Sequence, residues 1–254
     1  MSGAARVARS RPAGQARGTV RSMVSDASNG GSGAIVEFPS NGTTGSGYFA
    51  PAAGGSGPGI IVIQEWWGLN DNIKDIADRF AAEGYLALAP DLYHGKVTAE
   101  PDEAGKIMME LKMEEAAKDL SGAYDFLKNH DAGTGKVGSV GFCMGGRLSL
   151  FISTLKPIDA TVIYYGVMMG EQPDITKLKG PVLGHYAAND GWIKEEMVRG
   201  LEQKLKDVGK KAEMHIYPNT EHGFFNDTRP EQHNREASEI TWTRTLAFYN
   251  EHLR

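Results

Sequence analysis

The 254-residue sequence contains one cysteine, Cys143. A lone thiol excludes an internal disulfide framework and any zinc site built from paired cysteines, and leaves that residue as either inert packing or chemistry. Long hydrophobic runs are also missing. Stretches such as Gly59 to Ile63 fall far short of the roughly 18 to 20 residues that cross a bilayer, so no membrane span is expected. The first 25 residues hold no acid but five arginines, Arg6, Arg9, Arg11, Arg17 and Arg21. Taking those five from the 27 basic residues leaves 22 against 32 acidic ones, so the formal net charge of −5 hides a body at −10. A body that acidic repels phosphate backbones, and nucleic acid is not an expected partner.

The basic segment lacks the apolar stretch of a secretory signal peptide. Its Ala, Arg, Ser and Gly composition over residues 1–30 reads as an organellar transit peptide, chloroplast or mitochondrial. The alternative is a disordered tail on a cytoplasmic protein, because the same composition also fails to fold. The remainder, in a chain that is 41% hydrophobic and 9% aromatic, suffices for one core, and residues 34–254 are read as one domain.

From about Ile35 onward, short β-branched runs alternate with longer amphipathic stretches, which is the rhythm of an α/β fold. Strands are expected at 34–38, 47–50, 59–63, 85–89, 137–141, 160–165, 182–187 and 213–217. Several are apolar throughout, as strands covered on both faces must be. Helices are expected at 72–82, 101–129, 144–154, 193–208 and 231–252. Ile73, Ile76, Ala77 and Phe80 line one face of the first, and Ile240, Leu246 and Tyr249 are assigned to the buried face of the last.

The segment Gly141-Phe142-Cys143-Met144-Gly145-Gly146 follows a strand and opens a helix, which makes it a nucleophile elbow. The turn holds its central residue in a strained conformation and brings neighbouring chains so close that only small residues fit two positions away on either side. Composition alone gives about a 2% chance that the one cysteine is flanked by glycine at both positions. In this architecture the nucleophile is followed along the chain by an acid and then a histidine. Asp190 lies directly after the strand at 182–187, and His222 in the loop after the strand ending at Tyr217. Asp190 could equally cap the helix ahead of it. His130, His233 and His252 fall on helices or their ends. His185 and His215 lie inside strands, where a hydrogen-bonded core histidine is the default, so His222 is the best-placed base.

These features resemble the dienelactone hydrolase, or carboxymethylenebutenolidase, family from about Ala34 to the C-terminus. The resemblance is carried by Ile61-Val62-Ile63-Gln64-Glu65-Trp66-Trp67-Gly68-Leu69-Asn70, by Ala89-Pro90-Asp91-Leu92-Tyr93, by the cysteine elbow, by Tyr164-Tyr165-Gly166, and by the Asp190 and His222 loops. It implies an α/β-hydrolase fold, a mostly parallel central sheet with helices on both faces. It also implies a Cys143-Asp190-His222 triad, with Glu65 contacting the resting thiol and helping to form the thiolate. The residues themselves agree about Glu65, which ends an apolar strand ahead of two tryptophans, a poor setting for a solvated carboxylate. A free thiol is only a few per cent ionised at neutral pH and needs such a partner. Backbone N–H groups of Met144 and Trp66 are the expected oxyanion donors. Trp67, Tyr93, His94, Tyr165, Phe224 and Asn226 are the expected pocket residues.

The sequence departs from the family at the two arginines that hold a substrate carboxylate in the bacterial members. Gly95, or neighbouring His94, and Asn226 occupy those regions, with Arg147 and Arg229 as possible replacements. Each lost charge-assisted contact is worth about 1.5–3 kcal/mol, so chemistry is better specified than substrate. The expected activity is cleavage of a small-molecule ester or lactone through a thioacyl enzyme, without metal or other cofactor, in a monomer or homodimer. The alternatives are an inactive binding or scaffold protein of the same fold, and a thiol redox sensor.

Overall fold

The computed structural model describes residues 33–166 and 172–254, with Met1. The segment read as a transit peptide therefore lies outside the described residues, apart from Met1. Eight strands are described: β1 (Ala34–Ser40), β2 (Thr43–Ala50), β3 (Gly57–Ile63), β4 (Leu86–Pro90), β5 (Gly133–Phe142), β6 (Ala160–Tyr164), β7 (Val182–Ala187) and β8 (Ala212–Tyr217). They form one sheet in the order β1-β2-β4-β3-β5-β6-β7-β8. β2 pairs antiparallel with both β1 and β4, and every other pairing is parallel. Six α-helices accompany the sheet: α1 (Asp71–Ala82), α2 (Pro101–Glu110), α3 (Met113–Lys128), α4 (Met144–Leu155), α5 (Glu195–Asp207) and α6 (Arg235–Leu253). This is an α/β-hydrolase fold, as expected.

The alternation of β3 shows how the core divides. Every residue of that strand is buried. Ile60 and Val62 face a cluster completed by Ile73, Ile76 and Phe80 of α1, Leu205 of α5 and Tyr249 of α6. Ile61 and Ile63 face the opposite cluster, completed by Ile107 of α2, Leu120 and Leu127 of α3, and Leu148 and Ile152 of α4. Full burial of such a side chain stabilises by about 1.5–3 kcal/mol, so both faces contribute and neither helical layer is dispensable.

Two helices differ from expectation. The stretch read as one helix over 101–129 breaks where Leu111 (ψ 113°) and Lys112 (ψ 121°) are extended. The last helix buries Tyr249 and packs Leu246 partly against the core as expected, but its inward face is more polar than expected and excludes Ile240. Its buried residues are Ala237, Ser238, Thr241, Thr245, Tyr249 and Leu253, while Ile240 is 40% exposed. Two polar members of that face are satisfied within the helix, Ser238 Oγ donating to the Asn234 carbonyl and Thr241 Oγ1 to the Ser238 carbonyl, while Thr245 Oγ1 meets Tyr164 Oη and His185 Nε2 on the sheet. Hydroxyls that bond to their own helix can occupy a core, and this masks the periodicity. Among the described residues, no helix is long and apolar enough to cross a membrane.

Candidate active site

Parallel strands deliver the loops at their C-terminal ends to one edge of the sheet, where α/β sheets bind ligands. The segments that follow β3, β5, β6, β7 and β8 meet here. At the end of β5 the chain turns directly into α4 through Cys143, whose φ of 54° and ψ of −116° lie in the left-handed half of backbone space. Crowding makes small neighbours obligatory. A Cβ on Gly141 would strike the Gly145 carbonyl, and one on Gly145 the carbonyls of Ile63 and Gln64. Cys143 N–H donates to the Tyr164 carbonyl at 3.0 Å, which ties the elbow to β6.

The β7 and β8 loops are joined by their backbones. Ala188 N–H donates to Tyr217 O and Asn189 N–H to Thr220 O, both at 2.9 Å. Asp190 and His222 are thereby brought together, with His222 Nδ1 2.8 Å from Asp190 Oδ2. The other carboxylate oxygen, Oδ1, accepts N–H bonds from Trp192 at 2.8 Å and Ile193 at 3.0 Å. Asp190 thus both caps a turn and orients a histidine. Burial alone would raise its pKa, but the His222 hydrogen bond and charge and the two backbone donors outweigh burial and hold it below the ordinary carboxylate value. The other ring nitrogen, His222 Nε2, is buried without a hydrogen-bond partner among the described residues. Tyr165 and Trp192 pack against the ring at 5.1 and 4.7 Å.

Glu65 lies just beyond β3 and is 5% exposed. Its Oε1 accepts from Tyr165 Oη at 3.1 Å and its Oε2 from Asn226 Nδ2 at 2.9 Å. Burial raises its pKa, against the lowering influence of Asn226, His222, Tyr165 and Arg229. The Cys143 thiol is also pushed up, first by burial and then by the Glu65 charge, with the Met144 N–H acting in the opposite direction. Burial and the Glu65 charge both favour the neutral thiol over the thiolate.

Among the described residues, two cavities meet at Cys143. One, of about 390 Å³, is lined by Glu65, Trp67, His222 and polar loop residues that include Asn189, Glu221 and Gln232. The second, of about 590 Å³, is lined by Met108, Leu111, Met113, Met144, Leu148 and Arg147. Cys143, Trp66 and Trp192 belong to both. The expected pocket residues separate into groups. Trp67 lines the first cavity, stacked under Arg229, whose guanidinium carbon is 3.6 Å from the ring centre. Tyr165 and Asn226 act on the site through Glu65. Phe224 is fully buried behind Tyr165. Tyr93 and His94 line a separate groove, because Tyr93 turns its hydroxyl onto Met144 Sδ at 3.3 Å and His94 turns outward to within 3.3 Å of Asp119. Trp192 and the α2–α3 methionines were not anticipated. Trp192 stands two residues after Asp190, which was the one available signal.

The family model for dienelactone hydrolases matches residues 46–253. The chain belongs to the dienelactone hydrolase family. Among its relatives, "Protein usf" of Aquifex pyrophilus is 37% identical over 205 residues, spanning 77% of this chain and 89% of that one. A "Putative carboxymethylenebutenolidase" of Saccharolobus solfataricus is 36% identical over 228 residues, spanning 74% and 87%. A crystal structure described as a "Putative Dienelactone Hydrolase" from Klebsiella pneumoniae matches with a TM-score of 0.76 at 30% identity, covering 86% of this chain and all of the other. Membership of the dienelactone hydrolase family makes this chain a hydrolase of the lactone and ester type.

Proposed function

We propose that the protein hydrolyses a carboxylic ester or lactone through a thioacyl intermediate on Cys143, with His222 as base and acid and Asp190 as its orienting carboxylate. The observation that carries this reading is the 2.8 Å bond between Asp190 and His222 Nδ1, which leaves Nε2 without a partner at a cavity shared with Cys143. A carboxylate on Nδ1 favours the tautomer whose Nε2 lone pair can accept a proton.

In the proposed cycle the Cys143 proton passes to His222 Nε2 as the sulfur attacks the carbonyl carbon. The carbonyl π pair moves to oxygen, and that oxyanion is met by the N–H groups of Met144 and Trp66. Met144 is the first residue of α4, so its N–H has no acceptor within the helix. The intermediate collapses, the C–O bond breaks, and His222 returns the proton to the leaving oxygen. Water then repeats the sequence on the thioester: His222 takes its proton, the hydroxide oxygen bonds to the acyl carbon, and the proton goes back to sulfur.

Glu65 enters as the buried carboxylate whose charge opposes ionisation of the resting thiol, so that the Cys143 proton leaves for His222 only as the sulfur attacks. A buried thiol with a raised pKa is the opposite of the exposed, acidic thiol that peroxide sensors employ, which favours the hydrolase reading. In the test, wild-type protein incubated with activated esters and lactones is expected to show turnover and an acyl mass on Cys143. Cys143→Ala is expected to lower kcat/KM by about 10⁴-fold or more. Undiminished turnover in that variant would refute the assignment.

A further inference from the structure

The two cavities that meet at Cys143 differ in chemistry, and their positions relative to His222 are not equivalent. The smaller one contains His222, Asn189, Glu221 and Gln232. The larger one contains no part of His222 and is walled by Met108, Leu111, Met113 and Leu148 beneath Trp66 and Trp192. The indoles of Trp66 and Trp192, edge to face at 6.0 Å, belong to both and mark the boundary where the sulfur sits. Arg147 is the charged residue in the described wall of the larger cavity. Its Nη1 lies 4.0 Å from Met113 Sδ and it is itself engaged by neighbouring groups.

Resting on the hydrolase reading above, we infer that the larger cavity is the acyl pocket and the smaller one the leaving-group pocket, and that the preferred substrates are esters of uncharged, apolar, medium-length or aromatic acids with small polar alcohols. The orientation follows from the proton. The departing oxygen must come within hydrogen-bond reach of His222 Nε2, about 2.6–3.2 Å. Of the two described cavities His222 lines the smaller and not the larger, so the alcohol occupies the smaller one, and its departure vacates the place from which His222 can activate water. The acyl chain is left with the opposite side of the sulfur. Met144, whose N–H is the proposed oxyanion donor, lines that side. Methionine and leucine walls adapt to varied apolar shapes but offer a charged acyl tail no carboxylate clamp. At about 590 Å³ the cavity has the size of a small-molecule site.

The test varies each half of the ester separately. In 4-nitrophenyl esters from acetate to octanoate, kcat/KM of the wild type is expected to rise by at least ten-fold, since each methylene leaving water is worth up to about four-fold. In acetate esters of methanol through octanol it is expected to stay level or fall. Leu111→Trp and, independently, Met113→Trp should each lower the octanoate-to-acetate ratio by about ten-fold. Both residues are partly exposed, and the ratio is internal to each preparation. A level acyl series, a rising alcohol series, or an unmoved ratio in both variants would overturn the inference while leaving the hydrolase reading intact. No turnover of either series, with no adduct on Cys143, would instead overturn the hydrolase reading beneath it.

Discussion

Two histidines near the C-terminal end of the molecule receive opposite treatment. His185, in the middle of β7, is fully buried, and both its nitrogens are satisfied, Nδ1 by Tyr217 Oη at 2.8 Å and Nε2 by Thr245 Oγ1 at 3.1 Å. Each partner is itself engaged, Tyr217 Oη by Arg244 Nη1 and Thr245 Oγ1 by Tyr164 Oη. His222, one loop beyond β8, has one nitrogen fixed by a carboxylate and the other left without a partner. A buried polar atom without a partner costs about 1–3 kcal/mol, and folds avoid this cost where nothing is gained by it. The saturated network adds stability and offers no free valence. The incomplete one keeps a nitrogen unengaged by protein groups at the cavity that also holds Cys143.

The contrast is most exposed to refutation at His222. His222→Gln keeps an N–H that can meet Asp190 but has no second basic nitrogen, and it is expected to lower ester kcat/KM by about 10⁴-fold while shifting Tm little. Asp190→Asn preserves the oxygen that accepts from Trp192 and Ile193 but stabilises the wrong tautomer of His222, and a fall of about 10³-fold or more is expected. If either variant turns over esters at the wild-type rate, the unsatisfied nitrogen has no bearing on chemistry and the contrast loses its meaning.

The complementary prediction concerns His185. Replacing it with Leu removes two buried hydrogen bonds, though Tyr217 and Thr245 each keep one other partner. The expected loss is about 1–3 kcal/mol, read as a drop of roughly 3–9 °C in Tm, with kcat/KM for esters unchanged. An inactive His185→Leu protein that melts at the wild-type temperature would show that the β7 histidine belongs to the working machinery after all.

How much of this was legible in the sequence depended on whether a feature is local. The strands at 59–63 and 182–187 were readable because burial on both faces leaves mostly apolar or small residues, His185 being admitted by its hydrogen bonds to Tyr217 and Thr245. The elbow was readable because backbone crowding dictates its glycines. The Asp190 and His222 loops were found by their order after strands. The cavity walls were not found, since they depend on the break between α2 and α3. That break falls at Leu111 and Lys112, where neither proline nor glycine marks it. It carries Leu111 and Met113 into the wall of the larger cavity. His94 illustrates the opposite error. It was expected in the pocket, yet its backbone adopts a φ of 52° and its ring lies in a separate groove, 3.3 Å from Asp119. Tertiary packing alone decides which way such a residue faces.

The smallest expected effect separates the network from the site by pH. Burial first, and then the neighbouring His215 and Arg244 charges, hold the His185 pKa well below its ordinary 6.5. The folded protein therefore keeps this ring neutral at pH values where the unfolded chain protonates it. Protons bound by the unfolded state alone make stability fall as pH falls, so the contribution of His185 is complete above about pH 6.5 and is lost progressively below it, until its low folded pKa is reached. Because a single proton is involved, the slope from this residue is at most about 1.4 kcal/mol per pH unit. Denaturant unfolding between pH 7 and pH 5 is expected to show wild-type stability declining and the His185→Leu protein declining less steeply, so that the two curves approach each other on the acid side. His215, whose pKa is also lowered by burial and by Arg244, supplies the decline that persists in the variant. Parallel curves for the two proteins would mean that the β7 ring is protonated to the same extent folded and unfolded, and the saturated network would then have to be redrawn with a charged histidine at its centre.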